Sequence, residues 1–307
     1  MIDEYKIVIA TTLSNAVSTG YYPVSFAAIK SWSAPHYVDE VLIAEGMSKD
    51  NTVELHKNIS SKVKILSKKL WPIDSWTWRN LYDQYDVIYD YCRFVNNQQK
   101  TILVYLSADQ VFTSYFVEEL ERELLKLVQD KTADYFLLPF AKTITYEFLS
   151  IHYDPLDHFH VHSAIKFDED RDWLGVRGWR GHGEDAVITP NIKLHEPVPL
   201  EYSFFAYPFS YDMFLFTKEN LMDKIQRHGK GIFANDDREQ WGKLGTTHYI
   251  RNHWLKKMIP LLAGKIKLKD HPPEILELMF EYLDESRFGY SCFGNLAGSF
   301  NMFLSEE

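Results

Sequence analysis

Through its first 140 residues the chain alternates between short aliphatic runs and stretches with helical spacing. Tyr5 to Ala10 is a β-branched run that reads as a buried strand. Thr11 to Gly20 is small and polar and reads as a loop at that strand's carboxyl end. Pro23 suits the first turn of a helix that continues from Val24 to Trp32 and is closed by Pro35. Val38 to Ala44 predicts a second strand, Val53 to Asn58 a second helix and Lys62 to Leu66 a third strand. Strand, helix, strand, helix, strand predicts a parallel sheet with right-handed crossovers.

Leu81 to Phe94 has helical spacing, and Thr101 to Leu106 is an aliphatic run that breaks abruptly into Ser107, Ala108, Asp109 and Gln110. A strongly amphipathic helix follows from Phe116 to Val128, then a strand from Asp134 to Phe140. Beyond Lys142 the alternation gives way to His, Trp, Gly and Pro punctuation. Ile165 to Phe167, Ala186 to Thr189 and Phe204 to Tyr207 are the expected strands there, with helices at Thr217 to Arg227 and Pro272 to Leu283. The overall expectation is an α/β fold with a mostly parallel sheet and flanking helices, followed by an irregular C-terminal half.

An acid at the end of a buried strand has two readings. Asp is a favoured helix N-cap, and helical spacing resumes soon after Asp109. Ligands of open α/β sheets also collect at the carboxyl ends of strands, which suits a metal or phosphate ligand.

Composition narrows the picture little. Hydrophobic residues make up 46% and charged residues 25% of 307 residues, ordinary for a folded protein with a sizeable core. The net charge of -10 argues against a general nucleic-acid binder, but six Lys or Arg and no acid lie between His248 and Lys269, a local basic island. The two cysteines, Cys92 and Cys292, have no metal-binding spacing and suit either reduced thiols in a cytoplasmic protein or a single disulfide. MIDEYKIVIATTL does not read as a signal peptide, and no apolar run reaches the length of a transmembrane helix.

Three segments, in order, resemble the GT-A glycosyltransferases of the family 2-like type. IVIATTLSN stands where these enzymes have a first strand and polar loop. VLIAEGMSKDNT stands where they have a strand, an acid, a glycine, a serine and Asp-x-Thr. ILVYLSADQVF stands where they have the strand ending in the metal motif. The resemblance implies a nucleotide-sugar half over residues 1–142 and an acceptor-binding half of the same domain over 143–307.

It also implies an inverting transfer from a nucleotide-sugar donor, a UDP-sugar above all, with Mn2+ or Mg2+ as cofactor. Thr11, Thr12 and Leu13 would line the nucleotide pocket, Glu45 would sit near the base or ribose, and Ser107, Ala108 and Asp109 would meet the donor diphosphate, with Asp109 as metal ligand. Ser107 takes the place of the motif's first acid, and Gln110 stands where an acid is common. A second ligand must then come from the far half, and His248 in THYIRNHW is the candidate. Arg251 and Lys256 of the basic island are placed to neutralise the diphosphate. Glu184 and Asp185 in GHGEDAV are the candidates for the general base that takes the acceptor hydroxyl's proton. The acceptor is open between a glycan, a lipid-linked sugar and hydroxymethylated phage DNA. A reading of another class is a nucleotide-sugar-binding relative that has lost catalysis, motivated by Ser107 and Gln110.

Overall fold

The structure is a computed structural model describing residues 2–67, 84, 87, 88, 90–92 and 99–129, and the segments 135–138, 141–143, 150–152, 162–167, 194–195, 209–210, 262–265 and 272–275. β1 (Lys6–Leu13), α1 (Tyr22–Ser33), β2 (Glu40–Glu45), α2 (Thr52–Lys57) and β3 (Val63–Ser67) follow in the expected order. β2 lies parallel to β1 from Val8↔Glu40 to Leu13↔Glu45, and β3 lies parallel to β2 from Val41↔Val63 to Glu45↔Ser67. β4 (Thr101–Tyr105) then lies on the opposite side of β1, again parallel, from Lys6↔Thr101 to Ala10↔Tyr105.

After β4 come β5 (Gln110–Val111) and α3 (Ser114–Gln129). Short strands follow: β6 (Tyr135–Leu138), β7 (Ala141–Thr143), β8 (Ser150–His152), β9 (His162–Phe167), β10 (Leu194–His195), β11 (Phe209–Ser210) and β12 (Leu262–Lys265). The main sheet has the order β10-β6-β9-β4-β1-β2-β3, and a second sheet the order β12-β8-β7-β11-β5. In the main sheet β9 runs against both β4 and β6, so a mostly parallel α/β sheet carries one reversed strand. Residues 84, 87, 88 and 90 and 273–275 are helical, within the expected third and last helices. The expected strands Ala186 to Thr189 and Phe204 to Tyr207 and the helix Thr217 to Arg227 lie outside the described residues.

Strand parity divides the core. Ile7 and Ile9 of β1, Val41 and Ile43 of β2, and Ile102 and Val104 of β4 form one cluster with Ala28, Ile29 and Trp32 of α1 and Phe116, Leu120 and Leu124 of α3. The residues of opposite parity, Val8, Ala10, Leu42, Ala44 and Leu103, are buried as well. Burial on both faces is why these strands read as continuous apolar runs rather than alternations. Each fully buried aliphatic side chain contributes roughly 1.5–3 kcal/mol.

The second face carries polar groups at the start of the strands. Glu40 is buried, pairs with Lys6 at 2.8 Å and with Lys64, and accepts from the Tyr91 hydroxyl at 3.0 Å. Burial pushes its carboxyl upward, but these hydrogen bonds outweigh it and hold it below the usual range. Cys92 is a free, buried thiol, and burial pushes its pKa well up, so it is an unreactive core residue.

Candidate functional site

The chain runs outward from β1 to β2 to β3 and then returns to lay β4 on the other side of β1. The strand order reverses between β1 and β4, and ligands of such sheets bind beyond the carboxyl ends of the strands at this point. Those ends carry Thr11 to Leu13 on β1 and Ser107 to Asp109 after β4.

Thr11 to Leu13 are the last three residues of β1 and not, as expected, a loop. Pairing with β2 through Leu13↔Glu45 extends the strand, and threonine, being β-branched, suits it. Thr11 and Leu13 are buried, Leu13 within the core cluster, so of the three Thr12 alone is part-exposed.

Two loops stand beyond β1 and β2, and hydrogen bonds lace them together. Asn15 N–H donates to Ser48 Oγ at 2.7 Å and Val17 N–H to Thr52 Oγ1 at 3.2 Å. Ser18 N–H donates to Asp50 Oδ2 at 2.8 Å, and Lys49 N–H donates to Asn15 Oδ1 at 2.9 Å. Glu45 is 5% exposed, and its carboxylate accepts the backbone N–H groups of Met47 (2.9 Å) and Ser48. That holds Met47 at φ 57°, a conformation L-residues adopt at a cost of about 1–2 kcal/mol. Asp50, pushed up by burial, is held below its usual range by hydrogen bonds from Thr52 and Ser18. The acid, serine and Asp-x-Thr of the second segment therefore hold the two loops together as one wall beyond β1 and β2. From behind, buried His56 ties this wall to α1: its Nδ1–H donates to Thr52 O at 2.7 Å, and Nε2 faces Ser25 Oγ at 2.8 Å. A carbonyl only accepts, so the proton is on Nδ1.

Asp109 is 4% exposed and does not cap a helix. Four residues, two of them strand β5, separate it from α3, whose N-cap is Thr113: Thr113 Oγ1 accepts the Phe116 N–H at 3.0 Å. Gln110 closes the turn that presents Asp109. Its N–H donates to Ser107 O at 3.0 Å, and its Oε1 accepts the Ser107 N–H at 3.1 Å. The Gln110 Nε2 is buried and makes no hydrogen bond among the described residues, a cost of about 1–3 kcal/mol. Neither the roles of Gln110 and Thr113 nor the loop lacing was recognisable in sequence, since their partners are set by the turn and the sheet.

A divalent cation takes several hard oxygen ligands. Asp109 fits as one such ligand at the strand end, with Ser107 in place of a second acid. No group of three or more His, Cys, Asp or Glu gathers among the described residues, so a complete ligand set needs residues beyond them. His248, Arg251, Lys256, Glu184 and Asp185 lie outside the described residues. No helix among the described residues is long and apolar enough to cross a membrane.

No protein-family model matches the chain, and no curated protein matches it. Solved structures similar to part of it include S. aureus TarS 1-349, at 8% identity and TM-score 0.35, covering 52% of this chain and 47% of that one. The 4-diphosphocytidyl-2C-methyl-D-erythritol synthase of Anaerococcus prevotii has 11% identity and TM-score 0.31, covering 53% and 71%. Glucosyl-3-phosphoglycerate synthase of Mycobacterium tuberculosis, solved with Mn2+, UDP and glucosyl-3-phosphoglycerate, has 19% identity and TM-score 0.29, covering 44% and 43%. The chain thus spans about half of TarS 1-349 and less of the mycobacterial synthase. Likenesses at these scores carry no weight of their own. The sheet order and the strand-end geometry carry the reading that follows.

Proposed function

We propose that the chain is a glycosyltransferase that moves a sugar from a nucleotide-sugar donor, a UDP-sugar above all, to an acceptor hydroxyl. The observation that carries this reading is the position of Asp109, buried at the carboxyl end of β4 beside the β1–β4 reversal. The donor's nucleotide lies over the ends of β1 and β2, against Thr12 and the laced loops. Glu45 acts by shaping that wall, with its carboxylate already engaged by backbone N–H groups.

Asp109 and His248 are the residues that would hold Mn2+ or Mg2+, and when bound the cation would neutralise the charge that develops on the departing diphosphate. Arg251 and Lys256 add positive charge to the same leaving group. Glu184 or Asp185 takes the proton of the acceptor hydroxyl as its oxygen bonds to the anomeric carbon and the sugar–phosphate bond breaks, inverting that centre.

Incubation with UDP-, GDP- and dTDP-sugars and Mn2+, followed by phosphorus NMR, tests this. Release of nucleoside diphosphate from one donor, dependent on Mn2+ and lost in Asp109→Asn, is expected. Binding of a nucleotide sugar without turnover on any acceptor would favour the inactive relative. Offering a free glycan, a lipid-linked sugar and a hydroxymethylated duplex in parallel assigns the acceptor class.

A further inference from the structure

We infer that Gln110, Trp32 and Ser31 are positioning residues for Asp109: they fix the strand-end turn so that its carboxylate is preset for a divalent cation. This rests on the reading of Asp109 as a metal ligand. The turn is held from three sides. Internally, Gln110 closes it twice, donating its N–H to Ser107 O and accepting the Ser107 N–H on Oε1. From α1, the Trp32 indole N–H donates to Gln110 O at 2.6 Å, across 78 residues of sequence. One residue earlier on α1, Ser31 Oγ accepts the Phe112 N–H at 3.1 Å while donating to Ala28 O at 2.7 Å. The flanking pair Gln110–Val111 is held in β5 by β11.

These bonds account for two features that packing leaves unexplained. Gln110 is 1% exposed and keeps a buried amide whose nitrogen makes no hydrogen bond among the described residues. An apolar side chain would fill that space without stranding a donor, so the amide is present for its oxygen. Trp32, fully buried, packs against Phe112 with ring centroids 6.3 Å apart, and a phenylalanine would pack there too. The indole adds a bond that anchors Gln110 O to the helix. With a single carboxylate in SADQ, the ligand set has little redundancy, so affinity depends on how well that carboxylate is preset. A preset ligand spares the ordering cost on binding. Groups that orient a ligand from behind typically change metal affinity by about 10–100-fold.

The test uses the full chain. Mn2+ binding is titrated by electron paramagnetic resonance with UDP present, UDP binding is measured without metal, and urea unfolding is recorded for each variant. Trp32→Phe keeps the ring and drops the N–H, and Gln110→Met keeps length and drops the oxygen. About tenfold weaker Mn2+ binding is expected in each, with metal-free UDP affinity unchanged. Gln110→Glu retains an acceptor for the Ser107 N–H and is expected to restore Mn2+ binding. A purely structural role would lower unfolding midpoints with Mn2+ affinity intact, or weaken metal-free UDP equally; either result overturns the inference. Ser31→Ala, a smaller change, is the arm that decides if both larger variants fail to fold. Asp109→Asn is the control: if it binds Mn2+ as the parent does, the ligand reading itself has failed. If it alone loses Mn2+, only the positioning role has failed.

Discussion

Gly46→Ala should destabilise the chain by about 2–4 kcal/mol, and the structure says why. Gly46 lies at the join of the two laced loops, its N–H donating to Leu13 O at 2.9 Å. Its φ is outside the left-handed region, so an alanine meets no backbone strain, and the whole cost is contact. An added Cβ would stand 2.6 Å from Gln84 Nε2 and 2.9 Å from Ser14 Cβ. Gln84 can swing away only by giving up its bond to Ala44 O at 3.2 Å, and at 5% exposure it finds no water in return. Losing that bond costs about 1 kcal/mol or more. Ser14 Cβ is fixed to the backbone, so the loop it begins must shift against its bonds to Ser48, Thr52 and Asp50. Overpacking of this kind costs about 1–3 kcal/mol, which sets the sum. Urea unfolding measures it, as a lower midpoint at unchanged slope. Combining Gly46→Ala with Gln84→Ala should cost about 1 kcal/mol less than the two single changes added together, because the worst contact is gone. A Gly46→Ala protein within about 0.5 kcal/mol of the parent would refute the tight join and, with it, the preformed wall.

Thr113→Ala should lose about 1 kcal/mol of stability by urea unfolding as the α3 cap disappears, with nucleotide binding unchanged. Burial holds the His56 imidazole below its usual pKa, so the unfolded chain takes up this proton first as pH falls through about 6.5. The stability advantage of the parent over His56→Gln should be full above that pH and shrink below it; a constant difference from about pH 7.5 to 5 would contradict this. Glu40→Gln should cost about 3 kcal/mol by leaving Lys6 without its carboxylate, and Glu40→Leu with Lys6→Met should recover most of it on thermal or urea unfolding.

What was legible in the sequence was local. β2 announced itself because Val41 to Ala44, buried on both faces, make an unbroken aliphatic run, and Pro23 and Pro35 bracket α1. Parallel order followed from the alternation of strand and helix alone. β1 ran three residues past its expected end because polar threonines hide a strand whose pairing with β2 continues to Leu13. β5 is two residues long and exists through pairing with Phe209–Ser210, so no window of sequence contains it. Ile165 to Phe167 was expected as a strand and is the end of β9, but its reach back to His162 and its reversed direction are set by β4, some sixty residues away in the chain. At the site, Asp109 was recognisable as an acid at a strand end, but that Thr113 and not Asp109 caps α3 shows only in the hydrogen bond to the Phe116 N–H. Glu45 drew notice as an acid, yet its role lies in which N–H groups it accepts, and those come from a turn. Trp32 read only as part of a helix, and its bond to Gln110 is visible only once α1 packs against β5.

The central claim is that Asp109 holds a divalent cation at the β1–β4 reversal, and crystals grown with UDP and Mn2+ test it most directly. An anomalous difference peak within about 2.5 Å of the Asp109 carboxylate, with the diphosphate beside it and the uridine over the ends of β1 and β2, is the expected result. UDP bound elsewhere on the chain, or a Mn2+ peak remote from Asp109, would contradict it.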